Sequence, residues 1–399
     1  MNRRGTALMA ALVLGGMSAG VACSSDDSQR GLAASGTAGA DGTGAGGNLG
    51  GAGGSGGGGG VMTPVLGGTG GGGGAGGAGG GGGASCVEMA LTNCTGTTSG
   101  AWCVDQFLQS DPVPARFNGI WGAGTTNVWA VGSHVDTSGI FNSAGFIFHW
   151  DGCAWTQSPL SIAAGLREVW GRAENDVWAV GDGGTALHWN GRDWIPVSTG
   201  VTSILWAVSG TATDDVWAVG DGGAIHWNGT AWAASPGFPI PPPEVNFAGD
   251  VWAVAPNDVW VVGNRNLLTR FNGSSWTTTA VSADNTHSLF GIWSDGSTAW
   301  AVGQGDQIQK FSGGAWTIIQ GAGGSSQGFV NVMARGLDVW VVGQATVRST
   351  GGGPFTVDPD APPAPYANFD GLWVTATQVW AAGTAQPNST ATVMHRARF

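Results

Sequence analysis

The sequence predicts an all-β fold, a seven-bladed β-propeller in which each blade is a four-stranded sheet. Two observations lead to this prediction. A word of the form [Asp/Asn]-Val-Trp-[Ala/Val]-[Val/Ala]-Gly, or a degraded form of it, recurs seven times at intervals of 49, 39, 43, 40, 40 and 40 residues. This is the period of a four-stranded propeller blade. The central tryptophans are Trp129, Trp178, Trp217, Trp260, Trp300, Trp340 and Trp380. The second observation is that each word is a short apolar strand that ends at a glycine.

Ahead of the repeats, the first 22 residues have the three parts of an export signal. Arg3 and Arg4 form a basic start, and residues 7–14 form an apolar stretch that is too short to span a bilayer. Small residues then lead to the tetrapeptide Gly20-Val21-Ala22-Cys23. We therefore expect residues 1–22 to be a signal peptide.

The tetrapeptide at its end resembles the lipobox of bacterial lipoproteins, although that family prefers leucine where Gly20 stands. The resemblance implies cleavage before Cys23, acylation of its thiol, and attachment of the chain to a membrane of the bacterial cell envelope. The serine that follows Cys23 implies sorting to the outer membrane. The alternative is an ordinary secretory peptide cut nearby, which would leave Cys23 unmodified.

Residues 23–85 are predicted to be a flexible tether. Many of the 76 glycines of the chain lie between Gly31 and Gly83, and almost no apolar side chain there is larger than alanine. Such a segment cannot bury enough surface to offset the entropy of ordering it, so we expect it to be disordered. About 60 flexible residues have a root-mean-square reach of roughly 45 Å.

The remaining residues, 86–399, are predicted to be a single propeller whose repeats share four landmarks. Position A lies before the central tryptophan, at Trp121, Trp170, Trp206, Trp252, Trp293, Met333 and Trp373. Position B is the central tryptophan. Position C is an aromatic residue at Trp150, Trp189, Trp227, Phe271 and Phe311. Position D is predicted at Trp155, Trp194, Trp232, Trp276, Trp316 and, in the sixth unit, Phe355.

Tight turns separate the four strands that these landmarks mark. Asp182-Gly183-Gly184 and Asn190-Gly191 are expected to be hairpin turns, because glycine accepts a positive φ. Closing the sheets into a ring protects their edges. The blades are predicted at about residues 116–160, 165–200, 203–237, 246–281, 288–321, 328–359, and 368–399 with 97–107.

The seventh unit runs out before position D, and a spare D-like element lies at the other end of the propeller. This element is Ser99-Gly100-Ala101-Trp102. We therefore predict that a strand around Trp102 completes the last blade beside the C-terminal strand.

Four cysteines follow Cys23, and an even number in an exported chain favours two disulfides. They are Cys86, Cys94, Cys103 and Cys153, which allow three connectivities. We favour Cys86–Cys94 and Cys103–Cys153. The second bond would join the closing strand to the first blade and lock the ring. The spacings match no zinc pattern, so no metal is expected.

The pattern Val-Trp-Ala-Val-Gly-x-Gly-Gly…His-Trp-[Asn/Asp]-Gly-x-x-Trp resembles kelch-type and Asp-box-type propeller repeats of bacterial surface and secreted proteins. The resemblance covers about three quarters of the chain. The chain lacks the regular double glycine of kelch repeats directly after the second strand. It also lacks the serine of the Asp box and has a shorter Asp-to-Gly spacing. The subfamily therefore stays open.

Repetition assigns most of the chemically interesting side chains to the scaffold. All 22 tryptophans, with Trp102 counted at position D, fall at repeat positions, which makes stacking on sugars by them unexpected. Histidines recur beside position C, at His149, His188, His226 and His395. Aspartates recur two residues before position B and are expected to be turn residues that accept local backbone N–H groups. These are Asp176, Asp215, Asp258 and Asp338.

Composition and motifs exclude several functions. The net charge is −12, and the 13 arginines and one lysine form no basic run, so the chain lacks the footprint of a nucleic-acid binder. There is no phosphate-binding loop. Asp-box sialidases use a tyrosine nucleophile, but the one tyrosine, Tyr366, follows a proline-rich loop. We therefore expect neither catalysis nor a cofactor.

Function is expected in the three segments that break the repeat, namely residues 133–144, 238–244 and 358–366. The candidate binding residues are His134, Asp136, Phe141, Phe238, Glu244 and Tyr366. The leading hypothesis is a monomeric, surface-tethered, non-enzymatic propeller that binds or scaffolds a protein or a polysaccharide. The alternatives are an extracytoplasmic glycan-active hydrolase or lyase, and a purely structural envelope protein.

Overall fold

Seven antiparallel sheets make up the folded body of the protein. The computed structural model describes residues 94–95, 102–105, 115–134, 144–239, 247–279, 287–320, 328–361, 367–385 and 390–397. All of them belong to one compact unit. No helix among these residues has the length and the apolar character needed to cross a membrane. Residues 1–85, with Cys23, lie outside the described part, so the signal peptide, the lipid and the tether stay predictions.

Each of the first six sheets contains four strands in sequence order, which we label A to D. Blade 1 has β3 (Ala115–Gly124), β4 (Asn127–His134), β5 (Gly145–Trp150) and β6 (Trp155–Gln157). Blade 2 has β7 (Leu166–Ala173), β8 (Asp176–Gly181), β9 (Ala186–Trp189) and β10 (Trp194–Pro196). Blade 3 has β11 (Leu205–Ala212), β12 (Asp215–Gly220), β13 (Gly223–Trp227) and β14 (Trp232–Ala234). Blade 4 has β15 (Ala248–Ala255), β16 (Asp258–Gly263), β17 (Leu267–Phe271) and β18 (Trp276–Thr278).

The last three blades follow the same plan. Blade 5 has β19 (Leu289–Ser294), β20 (Ala299–Gly303), β21 (Gln307–Ser312) and β22 (Ala315–Gln320). Blade 6 has β23 (Phe329–Arg335), β24 (Asp338–Gly343), β25 (Val347–Ser349) and β26 (Thr356–Val357). Blade 7 has β27 (Ala367–Val374), β28 (Gln378–Ala385) and β29 (Thr390–Ala397). Two strands from the start of the propeller, β2 (Trp102–Val104) and β1 (Cys94–Thr95), extend this last sheet.

The A strands contact one another in order around the ring, and β27 of the seventh blade contacts β3 of the first. The A strands are therefore innermost, and the seven-bladed, four-stranded propeller predicted from the sequence is confirmed.

The tryptophan repeat exists because the position B ring of one blade packs against the C and D aromatics of the next. The Trp129 ring lies 5.0 Å from that of Trp189 and 5.2 Å from that of Trp194. Edge-to-face and tilted aromatic pairs of this kind are stabilising beyond the area they bury. In the sixth blade, Phe355 fills position D as predicted and lies 5.5 Å from Trp300.

The strand around Trp102 lies beside the C-terminal strand. Cys103 pairs with His395, and Val104 pairs with Met394. The Trp102 ring packs edge-on against Trp340 of the sixth blade at 6.4 Å, the contact that a position D residue makes in the other blades. The sheet order is β1-β2-β29-β28-β27, so the seventh blade has an additional outer strand, β1.

The structure locates two of the cysteines. Cys103 is buried in β2, and Cys153 lies in the turn between β5 and β6 of the first blade. Cys86 lies outside the described residues, and only the backbone of Cys94 is described. The pairing of the four cysteines stays a prediction, which a free-thiol count of the Cys103→Ser variant would test.

The aspartates before position B differ from their predicted role. The carboxylate of Asp176 pairs with His188 at 2.7 Å and that of Asp258 with Arg270 at 2.6 Å, both on the neighbouring C strand. Asp215 and His226 repeat the arrangement at 2.7 Å. Of the four, Asp338 accepts a backbone N–H, from Gly351. These carboxylates therefore join strands B and C, because the antiparallel register places the C-strand side chain beside them.

Candidate functional site

The connections between strands divide between the two faces of the ring. The B–C turns and the segments that join one blade to the next leave one end of the sheets, and we call this end the loop face. The A–B and C–D turns leave the other end, the turn face. The described ends of all three segments that break the repeat therefore lie at the loop face, since one segment is a B–C connection and two join blades.

Next to the loop face, every A strand has a bulge at the same place. The pairing with strand B shifts between Leu166 and Glu168 in blade 2, and at the equivalent step in the other six blades. A bulge changes the direction of the side chain that it carries, and bulges are frequent beside binding sites. The bulge residues are Asn118, Arg167, Trp206, Gly249, Phe290, Val330 and Asp370.

This register corrects the prediction for Trp206, which is a bulge residue and does not occupy position A. In blade 3, Trp217 pairs with Ser209, as Trp178 pairs with Trp170 in blade 2. The Ser209 hydroxyl accepts a hydrogen bond from the Ala253 N–H of the next blade at 3.0 Å. Trp206 is therefore a tryptophan that the repeat does not require.

Charged and polar bulge residues are bound by neighbouring groups. The Arg167 guanidinium donates two hydrogen bonds to the Asp182 carboxylate, at 2.7 and 3.1 Å. Asp370 accepts a two-point contact from Arg116 across the junction of blades 7 and 1. Asn118 donates to the Leu166 carbonyl of blade 2 at 2.6 Å. Asn118 and Asp370 therefore join neighbouring blades, and the charges of Arg167 and Asp370 are compensated.

On the opposite side of the loop face, three aromatic rings form what we call the aromatic row: Trp206, Phe247 and Phe290. The Trp206 and Phe247 rings are 6.0 Å apart, and those of Phe247 and Phe290 are parallel at 6.3 Å. The Arg167 guanidinium lies 4.8 Å from the centre of the Trp206 ring. Trp206 and Phe247 are half-buried, whereas Phe290 is buried. The row therefore offers two apolar rings to solvent on the loop face.

A hydrogen bond fixes the orientation of the Trp206 indole. Its Nε1–H donates to the Asp221 carboxylate at 2.6 Å. Partial removal from water raises the pKa of Asp221, although this hydrogen bond and the Arg167 charge oppose the change. The polar edge of the indole is thus satisfied within the protein, and its carbon edge is left for a ligand.

The B–C turn of blade 4 places an arginine beside this row. Arg265 and Asn266 both have a φ of 55°. The Asn264 N–H donates to the Phe247 carbonyl at 3.1 Å, and the Asn266 N–H donates to the His287 carbonyl at 2.7 Å. The Arg265 side chain is exposed. Within the described part of the chain it makes no hydrogen bond and no ion pair.

The structure describes two of the six predicted binding residues. His134 ends β4, is half-buried, and has its ring 5.2 Å from that of Phe146. Phe238 is 9% exposed and packs edge-on against Trp276 at 4.9 Å, so its prediction as a ligand-binding residue is corrected to a core position. Contact with Trp276 of the fourth blade buries this ring. The other four predicted residues lie outside the described part, namely Asp136, Phe141, Glu244 and Tyr366.

Sequence reasoning missed the aromatic row and Arg265, although two signals were present. Trp206 lies eleven residues before Trp217, whereas the interval is seven or eight in the other blades. Arg265-Asn266 stands where blade 2 has Gly183-Gly184. Both are departures from the repeat inside a blade, and neither lies in the three segments where the sequence predicts function.

The described residues contain no group of three or more His, Cys, Asp or Glu side chains placed to hold a metal ion. The His188 ring that pairs with Asp176 is stacked on Trp178 at 4.3 Å, and the His226 ring lies tilted over Trp217 at the same distance. These pairs recur from blade to blade within the strands, as scaffold groups do.

Comparison with known proteins shows the fold. No family model matches the chain, and no curated protein matches it. Among solved structures, YCF48 bound to D1 peptide is 15% identical, with a TM-score of 0.57 over 78% of this chain and 100% of that one. The WD40 β-propeller domain of Doa1 is 10% identical, with a TM-score of 0.54 over 71% of this chain and 94% of that one.

A third similar structure is the extracellular domain of a putative hybrid two-component system from B. thetaiotaomicron. It is 11% identical, with a TM-score of 0.55 over 73% of this chain and 39% of that one. At such identities the likeness shows a WD40-like propeller fold.

Proposed function

We propose that the protein is a non-enzymatic binding propeller that takes a peptide segment of a protein partner on its loop face, across the aromatic row. The observation that carries the proposal is the half-buried side chain of Trp206, which occupies none of the four repeat positions. Its indole N–H is already satisfied by Asp221, so the side exposed to solvent is apolar. Half-exposed aromatic rings are the groups that most often anchor a partner.

A peptide fits the row better than a sugar does. Arg167 lies over the Trp206 ring, and Phe290 lies parallel to Phe247. Each exposed ring therefore has a face in use within the protein and offers a hydrophobic edge rather than a free platform for stacking. The similar YCF48 structure, which holds D1 peptide, supports the same choice.

The proposal includes the location of the propeller. A lipid on Cys23 would hold the chain at the bacterial envelope, and residues 24–85 would let the loop face reach a partner. The similarity to an extracellular domain supports an extracytoplasmic site. The outer membrane is the membrane that we expect, because a serine follows Cys23 in the lipobox-like sequence.

A peptide array tests the binding function. The full chain is incubated with overlapping peptides from envelope proteins, and the affinities of the best binders are measured by fluorescence anisotropy. The variant Trp206→Ser should bind at least tenfold more weakly, because about 1.4 kcal/mol of binding free energy corresponds to a factor of ten. The control Ile318→Ser removes an exposed apolar side chain from the outer strand of blade 5 and should bind like the parent.

Two results would contradict the proposal. One is an unchanged affinity of Trp206→Ser. The other is the absence of peptide binding by a parent protein that hydrolyses or binds polysaccharides in a parallel glycan screen, which would favour the glycan-directed alternatives.

A further inference from the structure

We infer that the peptide taken on the loop face carries a carboxylate, and that Arg265 binds it while an apolar side chain beside the carboxylate contacts Trp206 and Phe247. The inference builds on the proposed function, because it names the chemistry of the segment that the aromatic row would bind. It starts from the backbone of the blade 4 turn.

The turn of blade 4 places ordinary residues in a conformation that glycine adopts more easily. Arg265 and Asn266 have a φ of 55°, where blade 2 has Gly183 at 65° and Gly184 at 73°. A side chain in the left-handed region is disfavoured relative to glycine because of its Cβ atom. The scaffold is therefore served better by glycine here, and unfavourable conformations of this kind concentrate at binding sites.

The Arg265 side chain does nothing for the fold that would offset this conformation. It is exposed and has no hydrogen bond or ion pair within the described residues. Arg116 and Arg167, at the same end of the ring, are both bound to aspartates. Within the described residues Arg265 thus differs from these two arginines in having no acidic partner, and it is available to an external anion.

The position of Arg265 next to the aromatic row indicates which chemical group the ligand carries near its anion. The turn that carries Arg265 is hydrogen-bonded to the backbone of Phe247 on one side and of His287 on the other. The backbone of this turn is therefore held beside Phe247, which places the exposed Arg265 at the edge of the aromatic row. A ligand that meets both must combine a carboxylate with an apolar group within a few residues. Guanidinium binds carboxylates by two parallel hydrogen bonds.

The carboxylate can come from an acidic side chain or from a free C-terminus, and a set of four peptides separates these sources. From the best binder of the array, versions are made with Asp and Glu or with Asn and Gln, each with a free or an amidated C-terminus. The inference predicts that one of the two changes weakens binding to the parent protein at least tenfold, which identifies the source.

The decisive variant is Arg265→Gly. It should bind the acidic and the neutral peptides with equal affinity, and its melting temperature should match or exceed that of the parent, because glycine suits the left-handed turn. Folding failure is therefore not the expected outcome of this change. The control Arg192→Ala removes one exposed positive charge from the turn face and should keep the parent's preference for the carboxylate.

The outcomes separate the two ideas. If the parent binds peptides but does not distinguish carboxylate from amide, or if Arg265→Gly keeps the distinction, the inference is overturned and the proposed function stands. If the parent binds acidic glycans and no peptide, both are overturned. A glycan array that includes uronic-acid polymers provides that measurement.

Discussion

At the residue scale, the position B tryptophans are held by a second repeated contact. A basic or imidazole side chain from strand C lies over each ring: His188 is stacked at 4.3 Å from Trp178, and the Arg270 guanidinium lies 4.4 Å from the centre of the Trp260 ring. The aspartate before position B binds that same side chain in blades 2, 3 and 4. A buried indole face, a cation or imidazole, and a carboxylate thus form one unit. Where the middle group is a cation, the indole ring attracts it as well.

This unit gives the stability of the protein a dependence on pH. Asp215 is largely removed from water, which alone would raise its pKa. Hydrogen bonds from His226, Thr211 and Trp217 outweigh the burial, so the pKa of Asp215 is lowered. Its contribution to stability is therefore present above the pKa of the unfolded chain, about 3.9, and is lost as the pH falls through the lower folded value.

We expect Asp215→Asn to remove part of this dependence. At pH 7 the variant should be less stable by about 1–2 kcal/mol, because it loses hydrogen bonds to a charged group. The difference from the parent should shrink as the pH falls towards 3. Urea unfolding at several pH values measures both effects, with Asp193→Asn, at an exposed turn, as the control. A difference that stays constant with pH would contradict the expectation.

The pKa of Asp250 is shifted in the opposite direction to that of Asp215. It is fully buried, and desolvation raises its pKa well above the usual value, although the Ile292 and Val251 N–H groups donate to it at 2.7 Å. A raised folded pKa stabilises the protein at low pH, and this contribution is lost as the pH rises through the folded value. The Asp250 carboxyl group bridges blades 4 and 5. The two blades are therefore joined by a group whose burial disfavours its charged form.

At the element scale, each blade is completed by the next, and β2 performs for blade 7 what a D strand performs elsewhere. The Trp102 Nε1–H donates to Asp358 at 3.0 Å, and Arg396 of β29 binds the same carboxylate. Asp105, directly after β2, accepts a hydrogen bond from Trp155 of blade 1 at 2.9 Å. One three-residue strand therefore connects blades 6, 7 and 1.

Trp102→Ala should be strongly destabilising. It leaves a cavity between blades 6 and 7 and removes a hydrogen-bond partner of the buried Asp358, and loss of a buried tryptophan side chain costs about 3–5 kcal/mol. Chemical denaturation measures the loss, with Leu337→Ala, 69% exposed on the turn face, expected to change stability by less than about 0.5 kcal/mol. A loss below about 1 kcal/mol for Trp102→Ala would mean that β2 does not carry the closure.

The sequence predicted the scaffold well because the scaffold is periodic. Phe355 was assigned to position D from its place in the period, and it packs there. Trp206 is the tryptophan that precedes Trp217, which favours position A for it, but Ser209 occupies that position and Trp206 lies three residues earlier, at the bulge. Nothing in the sequence of a proline-rich linker indicates that Phe238 packs against Trp276. The site depends on such local departures, so periodicity could not identify it.

At the scale of the whole molecule, the two faces of the ring differ in the side chains and connections that they carry. The turn face carries short turns closed by Asn and Asp side chains, such as Asn190, whose carboxamide accepts two backbone N–H groups at 2.9 Å. The loop face carries the long connections, the aromatic row and Arg265. A tethered propeller with this arrangement would present one face to a partner while the other stays plain.

The tether can be tested on the whole chain. Cys23→Ser should move the protein from the membrane fraction to the soluble fraction of cells, because one cysteine carries the proposed lipid. Metabolic labelling with a radioactive fatty acid should label the parent and leave the variant unlabelled, while Cys94→Ser serves as a matched cysteine control. Labelling of both proteins, or of neither, would remove Cys23 as the anchor.

The pairing of β2 with β29 has a consequence for the order in which the protein is made. Blades 1 to 6 can each form from a continuous stretch of chain as synthesis proceeds, but the seventh sheet needs Trp102–Val104 from the beginning and Thr390–Ala397 from the end. Until the later strand exists, β2 can pair with β1 but not with the rest of the seventh sheet, and the sheet between the first and sixth blades is incomplete. In a nascent chain stopped short of β29, the start of the propeller would therefore not be joined to the seventh sheet, and circle closure would be the last event of folding.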